Sequence, residues 1–220
     1  HCAGPYIHNW QHMLEACLRN RAHYLDITGE IAVFENLAGR TEEAKKAGIV
    51  LLPGVGFDVV PSDCLAMHLK DRLPTAARLV LAFRGLGRTS QGTARTAAEN
   101  LDQPSMIRRG GQLLPISAGS RMRQVDFGRG PVKVIAITWG DISTAYYSTG
   151  IPNIEVYTAL PASLRRLMRA GNFLGKWITG KGVKSLFRRA IRTWPLGPSA
   201  EERERGLGLL WGEVVDNTGR

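Results

Sequence analysis

The sequence predicts an α/β protein. Residues 1–73 read as the later part of a Rossmann-type domain with a parallel sheet. Residues 74–220 read as an α+β domain on a mainly antiparallel sheet. Three observations predict this. Helical and strand-like patterns alternate through the first third of the chain, which is how parallel sheets are wired. Residues 49–52 (IVLL) form a short continuous apolar run that breaks into Pro53-Gly54-Val55-Gly56, as a strand covered on both faces does where it turns. After Pro74 strands come in quick succession with Gly-rich pieces between them, so the domain change is placed at Leu73-Pro74.

Taken in order, His1-Cys2-Ala3-Gly4-Pro5-Tyr6 reads as a strand end passing into a loop. Trp10, Met13, Leu14, Cys17 and Leu18 recur at the spacing of one helix face. Residues 23–27 (HYLDI) predict a strand ending in the polar Thr28-Gly29-Glu30. Residues 31–47 predict mostly helix with Val33, Phe34 and Leu37 on its apolar side, and Gly48 is its stop. After the 49–52 strand, Pro61, Ser62 and Asp63 mark a helix start that leads into Leu65, Met67 and Leu69. In the second part, residues 78–84, 132–138, 154–160 and 209–215 predict strands and 105–131 hairpins. Residues 92–101 and 162–194 predict helices, and 216–219 (DNTG) a turn. Both ends read as cut from a longer protein, with a strand expected before His1 and a returning strand after the last turn.

Composition bounds the function. At 44% apolar and 22% charged residues the 220-residue chain is globular and large enough for a sizeable core. No apolar run reaches the length of a membrane span. Cys2, Cys17 and Cys64 are widely spaced with no C-x-x-C, which predicts reduced thiols, a cytoplasmic setting and neither disulfide nor zinc. The net charge of +10 is uneven: residues 151–200 carry nine basic side chains and one acid, so the excess sits mainly in one segment. That distribution, with no RRM, KH or helix-turn-helix signature, argues against nucleic acid as a partner. The basic stretch 162–194 instead predicts a contact with an anionic membrane surface, with a solvated basic face as the plainer alternative.

The chemistry-bearing motifs are few. Gly54-Val55-Gly56 and Gly85-Leu86-Gly87 follow strands, but neither has the third glycine of a dinucleotide fingerprint in register. His8 and His12 stand at helical spacing without the glutamate of a zinc protease, since Asn9 occupies its place, and no metal site is expected. No G-x-S-x-G elbow is present. Asp26, Glu30, Asp58 and Asp63 cluster at two consecutive strand ends. Glu30 and Asp63 read as helix caps. Asp26 and Asp58 stay open as an acid or base, or as binders of a substrate amine or hydroxyl.

These residues resemble a known family. C-A-G-P-Y (residues 2–6), A-C-L…H-Y-L-D-I-T-G-E (16–30) and L-P-G-V-G-F-D-V-V-P-S-D-C-L-A (52–66) are similar to the saccharopine dehydrogenase-like oxidoreductases. The likeness is closer to the branch that includes trans-acting enoyl reductases. W-G-D…S-T-G-I-P-N-I-E-V-Y (139–157) and E-E-R…L-L-W-G-E-V (201–214) look like the same branch. The resemblance implies NADP or NAD as cofactor and hydride transfer on a hydrophobic or lipid-like substrate. It implies that the phosphate-binding loop belongs to the first strand, before His1. Cys2, Ala3, Gly4 and Pro5 would lie beside the nicotinamide ribose. Asp26, Thr28 and Gly29 would line the reacting edge, and Gly54, Gly56, Phe57 and Asp58 would close it. No single residue stands out as proton donor, and a homodimer is a further option. The rival reading is a non-catalytic, lipid- or membrane-associated scaffold that keeps the fold.

Overall fold

The computed structural model describes residues 1–86, 104–162, 165, 166, 199, 201, 204 and 206–219. The expected helix at 92–101, the end of the second glycine triplet and nearly all of the basic stretch 162–194 lie outside the described residues. The protein is a mixed α/β structure with a small parallel sheet and a large, mainly antiparallel one.

A 3-10 turn at Tyr6–His8 leads into α1 (Trp10–Asn20), β1 (Tyr24–Leu25), α2 (Ile31–Ala38), α3 (Thr41–Ala47), β2 (Leu51–Leu52) and α4 (Val60–Arg72). β1 and β2 pair in parallel, Tyr24 opposite Leu51 and Leu25 opposite Leu52, as the alternating pattern predicts. The paired segments are shorter than expected. Pro53 has no N–H for a ladder, and the Asp26 side chain takes the Thr28 and Gly54 amides at the strand ends. The 31–47 stretch is two helices, divided at Gly39-Arg40. Glycine is a poor helix former, and here the Gly39 and Arg40 amides turn back to Glu35 and Leu37 carbonyls. Gly48, at φ 68°, ends α3 in the left-handed conformation.

Helices α1, α2 and α3 bury Leu14, Cys17, Val33, Leu37 and Ala44 against Tyr24 and Ile49. The expectation that residues 49–52 are covered on both faces fails among the described residues, since Leu52 and its neighbour Leu25 are half exposed.

The large sheet holds β3 (Arg78–Leu86), β4 (Ser105–Arg109), β5 (Gln112–Ile116), β6 (Met122–Asp126), β7 (Pro131–Ala136), β8 (Asn153–Ala159) and β9 (Leu207–Val215). β3 runs parallel to β8, and every other pairing in this sheet is antiparallel. β3 reads as an unbroken apolar run because both its faces are covered. Leu79 and Leu81 meet helices α4 and α5, the latter Asp141–Thr149, while Val80 and Ala82 pack with Val125, Val134 and Tyr157. α5 is absent from the sequence reading. Its Ser, Thr and Tyr content gives little helix propensity, and its burial of Ile142 and Ala145 holds it in place. α4 lays Leu65, Ala66 and Leu69 on the same core, so this helix of the small-sheet half also covers the large sheet.

Candidate functional site

Three segments converge on the carboxyl ends of β1 and β2. The first is residues 1–5. The His1 amino group donates to the Leu25 carbonyl at 2.9 Å, which lays the segment beside β1. Asn9 Nδ2 donates to Ala3 O at 2.8 Å and steadies the loop from behind. The Tyr6 and Ile7 amides donate to the two Glu30 carboxylate oxygens at 2.9 and 3.0 Å. Glu30 therefore caps the turn at residues 6–8 and makes no side-chain cap on α2, the helix it precedes, which corrects the sequence expectation. Cys2, Ala3, Gly4 and Pro5 are all exposed, and the Gly4–Pro5 peptide is cis.

The second and third segments, 26–30 and 53–59, are tied by Asp26. Its Oδ1 accepts from the Thr28 and Gly54 amides at 3.0 and 2.9 Å, and its Oδ2 from the Tyr24 hydroxyl at 2.6 Å. The Asp26 carbonyl accepts the Val55 amide at 2.8 Å. Burial and this bond to Asp26 raise the Tyr24 hydroxyl well above its ordinary range. Asp26 is thus a buried, fully engaged carboxylate whose geometry serves to lock two turns together. Gly54, at φ 74°, lies against Phe34, where a Cβ would come within 2.8 Å of the ring. With the Gly54 and Val55 amides both given to Asp26, this glycine turn is not free to cradle a pyrophosphate.

Thr28 is buried, its hydroxyl accepting the Glu30 amide at 3.1 Å, while Gly29 is exposed and faces open space. Gly56 leans on Ile27. Phe57 is 79% exposed, far more than any aromatic needs on packing grounds alone, and its ring edge approaches Gly208 of β9. Asp58 is exposed, and its carbonyl accepts Trp139 Nε1 at 2.8 Å. The turns 26–30 and 53–59 are thus joined at one strand edge, with Asp26, Thr28 and Gly54 buried, Gly56 half-buried and Gly29, Phe57 and Asp58 exposed, while Cys2 to Pro5 follow from the His1 bond to Leu25.

The large-sheet half closes this edge with residues the sequence reading did not single out for a role. Trp139 packs on Phe83 with ring centres 4.5 Å apart and the ring planes tilted by 42°. Gly140 is wedged between Phe34, Val59 and the Gly29 carbonyl, all within 3.4 Å of where its Cβ would stand. Asp141 follows, wholly buried, and burial pushes its carboxyl up to about 7. Asp63 does not cap its own helix. It accepts the Ser148 hydroxyl at 3.0 Å, joining α4 to α5, and burial raises it while the Ser148 and Thr144 hydroxyls draw it back down.

A second tie lies further along α5. Arg108 of β4, 3% exposed, donates to Glu35 of α2, to Ile142 O at 2.8 Å and to Gly111 O at 2.7 Å, and it lies over the Tyr146 ring. Glu35 also accepts Ser143 Oγ at 2.6 Å and the Tyr147 hydroxyl at 2.9 Å. Burial and then the Glu35 carboxylate push Tyr147 up to about 12. The apposition of Glu35 with Ser143 and Tyr147, more than a hundred residues away, is invisible to any local pattern. Among the described residues no group of three or more His, Cys, Asp or Glu side chains is placed to hold a metal, and no helix is long and apolar enough to cross a membrane.

No family model matches the chain. The saccharopine dehydrogenase-like oxidoreductase of Bos taurus is 25% identical over 92 residues, which are 41% of this chain and 21% of that protein. That of Homo sapiens is 28% identical over 83 residues, 37% of this chain and 19% of that protein. Apo saccharopine dehydrogenase (L-Glu forming) from Saccharomyces cerevisiae superposes with a TM-score of 0.52 at 13% identity, covering 92% of this chain and 54% of that one. The chain is similar to saccharopine dehydrogenase-like oxidoreductases. It shares the fold of saccharopine dehydrogenase and spans about half of that chain, and the matched stretches span about a fifth of the curated relatives.

Proposed function

We propose that this chain is part of an NAD(P)-dependent oxidoreductase that acts on a hydrophobic, lipid-like substrate, in the manner of an enoyl reductase. The observation that carries the proposal is the convergence of residues 2–5, 26–30 and 53–58 on one strand edge. In open α/β sheets that is where ligands sit. Sequence similarity to saccharopine dehydrogenase-like oxidoreductases supports the reaction class.

The residues at this edge suit the nicotinamide end of a dinucleotide. Ala3, Gly4 and Gly29 are exposed and carry little side chain, so a flat ring can approach their backbone closely. The Gly54 turn does not suit the phosphates, because its amides are committed to Asp26. When bound, the cofactor supplies or accepts the hydride. The part of this chain is to orient and to exclude water. Asp26 fixes the spacing of the two turns, Cys2 to Pro5 border the ring, and Phe57 offers an apolar surface to the substrate. The division at 73/74 belongs to this proposal, with residues 1–73 carrying the cofactor edge, 74–220 covering it, and α4 shared as a wall.

Titrating NADPH into the full-length protein that contains this chain, with nicotinamide fluorescence as readout, tests the reading. Saturable enhancement is expected, weakened by Gly4→Val. No binding at millimolar cofactor would retire it.

A further inference from the structure

Asp141 opens α5 with its carboxyl fully buried, and neither carboxyl oxygen has a hydrogen-bond partner among the described residues. An unpaired carboxylate is very costly away from water, so such a group is held as the acid. Its neighbours reinforce this. Asp63 of α4 and Asp58 of the turn before α4 are the charged groups that act on it, and both disfavour a third negative charge. The Ser62 hydroxyl lies close enough to favour ionisation, but it donates to the Val59 carbonyl at 3.0 Å. From α2 the nearest acid is Glu35, and it is taken up by Arg108, which reaches α5 one residue on, at Ile142.

Position gives this carboxyl its consequence. Gly140 touches the Gly29 carbonyl, Phe34 and Val59, and Trp139 holds the Asp58 carbonyl. Residues 139–141 are therefore the plug that the large-sheet half inserts between the turns after β1 and β2.

We infer that Asp141 is a positioning residue of the candidate site: as a neutral carboxyl it lets the 139–141 turn seat between the two glycine-containing turns, and its ionisation unseats them. The inference rests on the reading of that edge as the binding site. The sign follows from burial. The folded chain keeps the proton up to about pH 7, whereas an exposed aspartate gives it up near 4. The seated form thus prevails in mildly acidic solution, and water or an outward movement of the turns must accommodate the charge as pH rises through 7.

Amide hydrogen exchange on the full chain, corrected for the intrinsic pH dependence of exchange, reads this without ligand. In the wild type, protection of residues 27–30 and 54–60 should fall several-fold between pH 5.5 and 8 (on the order of tenfold per 1.4 kcal/mol of lost seating). In Asp141→Asn, which keeps the shape and cannot ionise, it should stay level. Equal pH dependence in both proteins would overturn the inference. Should the Asn variant fail to fold, the Asp141 carboxyl carbon can be titrated by NMR in the wild type. A midpoint near neutrality that tracks the loss of protection sustains the inference, and a carboxylate already ionised at pH 5.5 refutes it. A failed NADPH titration would leave these results untouched, so the two readings fall separately.

Discussion

Removing either member of the Arg108–Glu35 pair should destabilise the protein far more than removing a surface ion pair. Arg108 is 3% exposed and Glu35 carries a 31% exposed side chain, so neither charge is easily rehydrated when its partner goes. Breaking a buried pair by deleting one partner costs about 3–5 kcal/mol, chiefly because the other charge is left uncompensated. The partial exposure of Glu35 discounts this toward about 3 kcal/mol for Arg108→Met. Glu35→Gln keeps an oxygen acceptor but leaves the guanidinium, the more deeply buried charge, without a counter-charge, and its cost falls in the same range. The Ser143 and Tyr147 hydroxyls would also lose the charge of their acceptor. At roughly 2–4 °C per kcal/mol for a chain of this size, a 3 kcal/mol loss lowers the melting midpoint by about 6–12 °C. Urea denaturation of both single variants and the Arg108→Met/Glu35→Gln double variant completes the cycle. The double variant should lose less than the sum of the singles by about 1–3 kcal/mol, because it leaves no lone charge. Lys45→Ala is the control. Its pair with Glu42 has side chains 68% and 75% exposed, and its loss should cost at most about 0.5 kcal/mol. Strict additivity of the singles, or single losses no larger than that of the control, would refute the reasoning.

Gly54→Ala places a Cβ within 2.8 Å of the Phe34 ring at φ 74°, and a loss of about 1–3 kcal/mol in urea denaturation is expected. Asp26→Asn weakens a carboxylate that accepts three hydrogen bonds, and should cost about 2–4 kcal/mol by the same measurement. Phe57→Ser should leave the melting midpoint unchanged, because the ring is 79% exposed, while raising KM for an apolar substrate more than it lowers kcat. Asp141, held up at about 7 in the fold, contributes stability that is complete below about pH 4, is lost at about 1.4 kcal/mol per unit as pH rises to 7, and changes no further above it. Urea midpoints of the wild type and Asp141→Asn measured at pH 5 and 8 should therefore diverge, with the Asn variant the more stable at pH 8.

What was legible in the sequence was local. The apolar run before Pro53 gave a strand, Gly48 gave a helix stop, and alternation gave parallel pairing of Tyr24 with Leu51. The turns after β1 and β2 meet because the carboxyl ends of parallel strands share an edge whatever the side chains do. Two kinds of feature were not legible. The first is the use of a carboxylate. Glu30 and Asp63 stand where caps stand, yet they bind the amides of residues 6 and 7 and the Ser148 hydroxyl, partners set by tertiary packing. The second is α5, whose composition is that of a loop or strand and which is helical because Ile142 and Ala145 fill the core beneath β3 and β8.

That missed helix alters which acid matters at the site. Asp26 has the position expected of a catalytic carboxylate, at a strand's carboxyl end, but both its oxygens are engaged by the Tyr24 hydroxyl and the Thr28 and Gly54 amides. Asp141 is the converse. Asp63 and Asp58 disfavour its charge, neither of its oxygens has a hydrogen-bond partner among the described residues, and loss of its proton near neutrality puts an uncompensated charge beneath the turns that seat on it. The fold has thus separated two tasks that one strand-end aspartate is commonly thought to combine: Asp26 carries the geometry, and the proton that neutral pH can move is held one layer beneath, on a helix contributed by the large-sheet half.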